Sequence, residues 1–103
     1  MTRHTPLTDT GHFSTENASK YLQQLCKHFG HKVEVTFDET QGTVGLGMGP
    51  ATLRAASDTL EIEVTAEDDE GLVHARQIID SHLKRFAFRE EFEAMSWHSA
   101  RSC

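Results

Sequence analysis

The residues of this chain that could do chemistry gather in two basic, histidine-bearing segments, Leu25-Cys26-Lys27-His28-Phe29-Gly30-His31-Lys32 and Ser81-His82-Leu83-Lys84-Arg85-Phe86-Ala87-Phe88-Arg89-Glu90. His28 and His31 have the i, i+3 spacing that sets two imidazoles on one side of a helix end, and imidazole ligates zinc, copper or iron. Gly30 between them weakens a metal site, because a helix stopping there leaves the direction of His31 unfixed. Cys26 lies about 200° from His28 around a helix axis and belongs with the core. A third ligand would have to come from Asp68, Asp69 or Glu70. Arg85 and Arg89 are one helical turn apart and could clamp a carboxylate or phosphate in the bidentate manner of a guanidinium. The candidate ligand-binding residues are therefore His28, His31, Lys32, His82, Arg85 and Arg89, and the ligand they suit is a small anion.

Plainer roles compete with each of these. Cations in a last helical turn complement the helix dipole. Arg89 can pair with Glu90, Glu91 or Glu93 at the surface, and His82, beside an apolar stripe, reads as a half-buried imidazole bonded to backbone or a carboxylate. No catalytic residue is assigned and no cofactor is implied: Cys26 faces the core, and no serine stands in a Gly-x-Ser-x-Gly elbow. Whether the chain is an enzyme stays open, with a small metal-dependent enzyme or metal-binding protein built on His28 and His31 as the alternative to a binding or accessory module.

The chain of 103 residues, 37% apolar and 25% charged, has the size and composition of one small globular domain. No apolar run is long enough to span a bilayer and no secretory signal opens the chain, so a cytoplasmic location is expected. Cys26 and Cys103 show neither a disulfide framework nor the CxxC spacing of a zinc site. A net charge of −6 argues against nucleic acid and anionic membranes as partners.

Residues 1–10 and 98–103 lack periodicity and read as mobile tails around a domain spanning 11–97. Gly11 to Thr15 reads as a short strand. From Glu16, the residues Ala18, Tyr21, Leu22, Leu25, Cys26 and Phe29 recur at helical spacing up to a glycine stop at Gly30. The period then falls to two through Val33, Val35 and Phe37, through Val44, Leu46 and Met48, through Leu53 and Ala55, and through Leu60, Ile62, Val64 and Ala66. The acidic run Glu67-Asp68-Asp69-Glu70 opens a second helix, whose stripe is Leu72, Ala75, Ile79, Leu83 and Phe86. Residues 88–97 can be read as strand or irregular chain.

This order, β-α-β-β-β-β-α, predicts an α+β two-layer sandwich with two helices on one face of an antiparallel sheet, an arrangement that resembles the TATA-binding-protein-like architecture in shape alone. An even number of meander strands returns the chain to the end of the sheet where the first helix stopped. His28 and His31 should then face the acidic start of the second helix, with Arg85 and Arg89 at the opposite edge, as two separate places. Gly45 and Gly47 should point away from the apolar face, and that slim surface, flanked by Thr43, Thr52 and Arg54, is the expected contact of a homodimer.

The blocks Lys20-Tyr21-Leu22-Gln23-Gln24-Leu25-Cys26-Lys27-His28-Phe29-Gly30-His31-Lys32-Val33, Val35-Thr36-Phe37-Asp38 and His82 to Glu90, with Trp97 near the end, resemble the bacterial domain-of-unknown-function family 2218. The stretch Gly45-Leu46-Gly47-Met48-Gly49-Pro50 departs from the more apolar strand expected of that family. The resemblance implies a free-standing protein of about this length. It implies no assigned site residues, and it suggests a link to iron or siderophore metabolism, because related domains accompany siderophore-interacting flavin reductases.

Overall fold

The structure, a computed structural model, describes residues 7–90, 92 and 94–99. The chain runs β1 (Leu7–Ser14), α1 (Ala18–Phe29), β2 (Val35–Phe37), β3 (Gln41–Leu46), β4 (Gly49–Ala55), β5 (Thr59–Ala66), α2 (Asp69–Phe86), a 3-10 turn (Phe88–Glu90) and β6 (Ser96–Ser99). The strands form one six-stranded antiparallel sheet in the order β2-β3-β4-β5-β1-β6. Both helices cover one face: α1 lies on β2, β3 and β4, and α2 on β5 and β1. The fold is the expected α+β sandwich with one strand more.

The helices form for the reasons their sequences give. All six residues on the predicted stripe of α1 are buried, as are Leu72, Ala75, Ile79 and Leu83 of α2. They close over Val44, Ala51, Leu53, Leu60, Ile62 and Val64 from the central strands. Asp68 caps α2, its side chain accepting the Gly71 N–H at 2.8 Å. No helix among the described residues is long and apolar enough to cross a membrane.

Strand β1 begins at Leu7, so four residues read as tail belong to the sheet, pairing in register with β5 from Leu7↔Ala66 to Ser14↔Thr59. Period-two reasoning missed them because two inward positions of β1 hold Asp9 and Gly11 in place of apolar residues. Asp9 is buried and meets the Arg76 Nε of α2 at 3.4 Å. Gly11 lies under the Trp97 ring, where a Cβ would come within 2.9 Å of the indole carbons.

That indole belongs to β6, which pairs antiparallel with β1. The domain therefore continues to Ser99 and does not stop at Trp97; the rest of the two expected tails, 1–6 and 100–103, lies outside the described residues, Cys103 included. Asp80 of α2 holds β6 in place. Its Oδ1 accepts the Met95 N–H and its Oδ2 the Trp97 indole N–H, each at 3.0 Å.

Met48 is not in a strand, because Gly47-Met48 make the two-residue turn joining β3 to β4. Gly49 follows with φ +152°, and a Cβ there would sit 2.3 Å from the Thr65 carbonyl oxygen. The uncovered sheet face carries Thr8, Thr10, Thr36, Thr43, Thr52 and Thr65 among its outward positions, with Gly45 as expected. These polar, β-branched positions are at home in water.

Replacing Asp80 with alanine leaves two donors without their acceptor. Loss of about 1–3 kcal/mol of stability is expected in urea unfolding, with a red shift in the emission of Trp97, the single tryptophan. An unshifted native spectrum would mean that β6 is held by something other than this carboxylate.

Candidate functional site

The two basic segments meet. The His28 ring stands 4.8 Å from that of His82, which is also 4.9 Å from Phe29 on its other neighbour in α1. His28, Lys32, Ser81, His82 and Arg85 line a surface hollow of about 360 Å³. The expectation of two separate places is overturned, and the cause is length. The helices do run in opposite senses, with Asn17 and Tyr21 of the α1 end bonded to Glu90 and His28 against His82. However, α1 has 12 residues and α2 has 18. With His28 beside His82, the stretch of α2 from Asp69 extends past it by about 20 Å at 1.5 Å per residue. Its acidic start therefore projects past His28 toward the β3–β4 turn, where Gly71 approaches Met48.

Local backbone geometry decides which members of the first segment take part. Gly30 caps α1 where its position suggested, and it keeps right-handed helical angles, φ −61° and ψ −14°. The turn runs on through Lys32 N–H to Phe29 O at 2.9 Å and His31 N–H to His28 O at 3.3 Å. Lys32 thereby falls one turn beyond His28, on the same side. His31 is exposed and does not line the hollow.

His82 is half-buried, and its Nδ1–H donates to the Ile78 carbonyl at 2.7 Å. That bond fixes the tautomer and leaves the Nε2 lone pair free in the neutral ring. Burial, then the neighbouring charges of His82, Arg85, Lys32 and His31, lower the His28 pKa below its ordinary 6.5. Among the described residues the lining contains cations, imidazoles and a hydroxyl, but no carboxylate. His28 faces His82, and among the described residues no group of three His, Cys, Asp or Glu could hold a metal ion.

Arg85 also borders a second hollow of about 360 Å³, with Tyr21 and Gln24 of α1 and Phe88, Arg89 and Glu90 after α2. Arg89 does not pair with Glu90; its guanidinium lies 5.7 Å from the Phe88 ring centroid. Glu91 and Glu93 lie outside the described residues. Glu90 is engaged by α1: its Oε2 accepts from Tyr21 OH, from Thr15 Oγ1 at 3.0 Å and from Asn17 Nδ2 at 3.0 Å. The Tyr21 bond, with the others, holds the Glu90 pKa down, while burial and then Glu90 push Tyr21 up to about 12. Sequence reasoning missed this cluster, whose members are 69 to 75 residues apart and carry no local signature.

A further hollow, of about 400 Å³, opens on the uncovered sheet face beside His12, Arg54 and Glu61. Its charges are matched internally, Glu61 taking His12 Nε2 at 3.0 Å and Arg54 Nη2 at 3.4 Å. The helix-end hollow is the stronger candidate because its positive charge is not so answered. Cys26 offers no nucleophile there: it is fully buried, and burial pushes its thiol up to about 11.

Comparison with known proteins agrees with this fold. The model of family 2218, described as an uncharacterised protein conserved in bacteria, matches residues 10–98. The chain belongs to that family. An NMR structure of PA4090 from Pseudomonas aeruginosa is similar at 33% sequence identity and a TM-score of 0.77, the match covering 93% of this chain and 99% of that one. No curated protein matches.

Because the folded-state pKa of His28 is lowered, the unfolded chain binds more protons in the window just below 6.5. Stability contributed by neutral His28 is therefore present above that window and lost as pH falls through it. A His28→Phe variant should show a shallower fall in melting temperature between pH 7 and 5 than the parent. Parallel curves would remove His28 from the titration.

Proposed function

We propose that this chain is a non-catalytic binding or accessory module whose helix-end hollow takes a small anion. The observation that carries this reading is the convergence of His28, Lys32, His82 and Arg85 on one hollow with no carboxylate among the described residues of its lining, within a chain of net charge −6. Gathering basic side chains in one hollow costs mutual repulsion, which a bound anion offsets. Arg85 supplies a planar fork of donors and Lys32 a mobile point charge. His28 adds a positive charge when protonated, and the Ser81 hydroxyl can donate.

The chemistry of the lining suits phosphate and carboxylate groups alike. A tie to iron handling would enter by the same route, since ferric complexes of carboxylate or catecholate siderophores are anions. Catalysis is not part of the proposal, because the hollow holds no activated nucleophile and the one described thiol is sealed in the core. We place the protein in the cytoplasm, where unpaired cysteines persist.

Isothermal titration with inorganic phosphate and with citrate tests the reading. Binding should weaken at higher ionic strength and strengthen as pH falls through the His28 pKa. It should drop by about tenfold or more in a Lys32→Ala, Arg85→Ala double variant, as expected when charge-assisted bonds are removed. Both residues are exposed, so the variant should keep its fold. Absence of binding at millimolar concentrations, or an affinity untouched by the double variant, would refute the assignment.

A further inference from the structure

The cationic hollow does not end at Arg85. That side chain also lines the second hollow, so the two adjoin along the seam between α1 and the end of α2, and a ligand passing Arg85 would fill both as one trough. Each half, about 360 Å³, lies within the size range of small-molecule sites. The halves differ in chemistry, and the difference orients whatever binds.

At the far half the furniture is aromatic and acceptor-rich. Phe88 is 63% exposed, an unusual place for a phenyl ring, and Arg89 lies against it. Phe86 and Tyr21 share the lining. Gln24, on the same wall, has its Oε1 buried without a hydrogen-bond partner among the described residues. A buried acceptor left unmatched is destabilising, and a ligand N–H would satisfy it. Glu90 gives its Oε2 to three donors, whereas its Oε1 accepts none among the described residues. This end therefore offers a stacking platform and two acceptors, with Lys20, Arg85 and Arg89 beside the one carboxylate.

Resting on the anion-site reading, we infer that the ligand is a purine nucleoside monophosphate. Its phosphate lies among His28, Lys32, His82 and Arg85, and its base lies on Phe88 with N–H groups toward Gln24 and Glu90. The ring and the two acceptors set this direction, since Phe88, Gln24 and Glu90 all line the far hollow and none of them lines the near one. From His82 to Arg89 the trough runs about 10 Å along the helix path, which suits a phosphate, a sugar and a flat base in line. A bare oxyanion would leave the aromatic half and both acceptors unused.

Titration with GMP, AMP, inorganic phosphate and guanosine separates this inference from the reading beneath it. A purine monophosphate should bind at least about tenfold more tightly than inorganic phosphate, within what one base–aromatic stack contributes. Phe88→Ala should erase most of that advantage and leave phosphate affinity unchanged; the ring is exposed, so its loss should not unfold the chain. Lys32→Ala with Arg85→Ala should weaken nucleotide and phosphate together. Phosphate binding with no nucleotide advantage, or an advantage indifferent to Phe88, overturns the nucleotide and leaves the anion site standing. Failure of both phosphate and nucleotides to bind overturns the anion site and the nucleotide with it.

Discussion

One face of the sheet is apolar and must be kept from water, and this requirement governs the rest of the molecule. Leu53, Leu60, Ile62 and Val64 can be covered only by the stripes of α1 and α2, which lie side by side over opposite halves of the sheet. Once both stripes are buried, the helices have no freedom to slide, because displacing either would expose leucines. The seam between them, and every side chain along it, inherits its position from that packing. The basic trough is thus a by-product of burial whose wall residues were free to become chemical.

The electrostatics work locally against the overall charge. A chain carrying −6 would repel anions at a distance, but within one or two side-chain lengths the imidazoles, Lys32 and Arg85 dominate. The end of α1 adds partial negative charge from its carbonyls, which favours cations there even without a ligand. Some of the mutual repulsion is relieved by keeping His28 neutral, as its lowered pKa indicates.

Much of the fold was legible from periodicity. Both helical stripes, the four-strand meander and the acidic opening of α2 were read from spacing alone, because each buries one side and wets the other. The failures share a cause: tertiary contacts replaced local pattern. Asp9 and Gly11 occupy inward positions of β1 because Arg76 and Trp97 reach them from distant sequence. Gly30 ends α1 as read, yet its right-handed angles carry the turn onward, so Lys32 rather than His31 joined the site. Of the six candidate residues, His28, Lys32, His82 and Arg85 meet in one hollow, Arg89 lies in the adjoining one and His31 stands apart. What spacing could not give was their meeting, since strand counting fixes the sense of each helix but not how far the longer one overhangs.

The two outermost strands are also the shortest, three residues in β2 and four in β6, while the eight-residue β1 and β5 lie inside. Rims this brief make poor templates for recruiting a stray strand from another molecule. The closing segment around Trp97 thus acts as a selvage. Were it peeled away, half of the longest ladder would become an open hydrogen-bonding border, and the chain would acquire a route to fibrous self-assembly that its intact form denies.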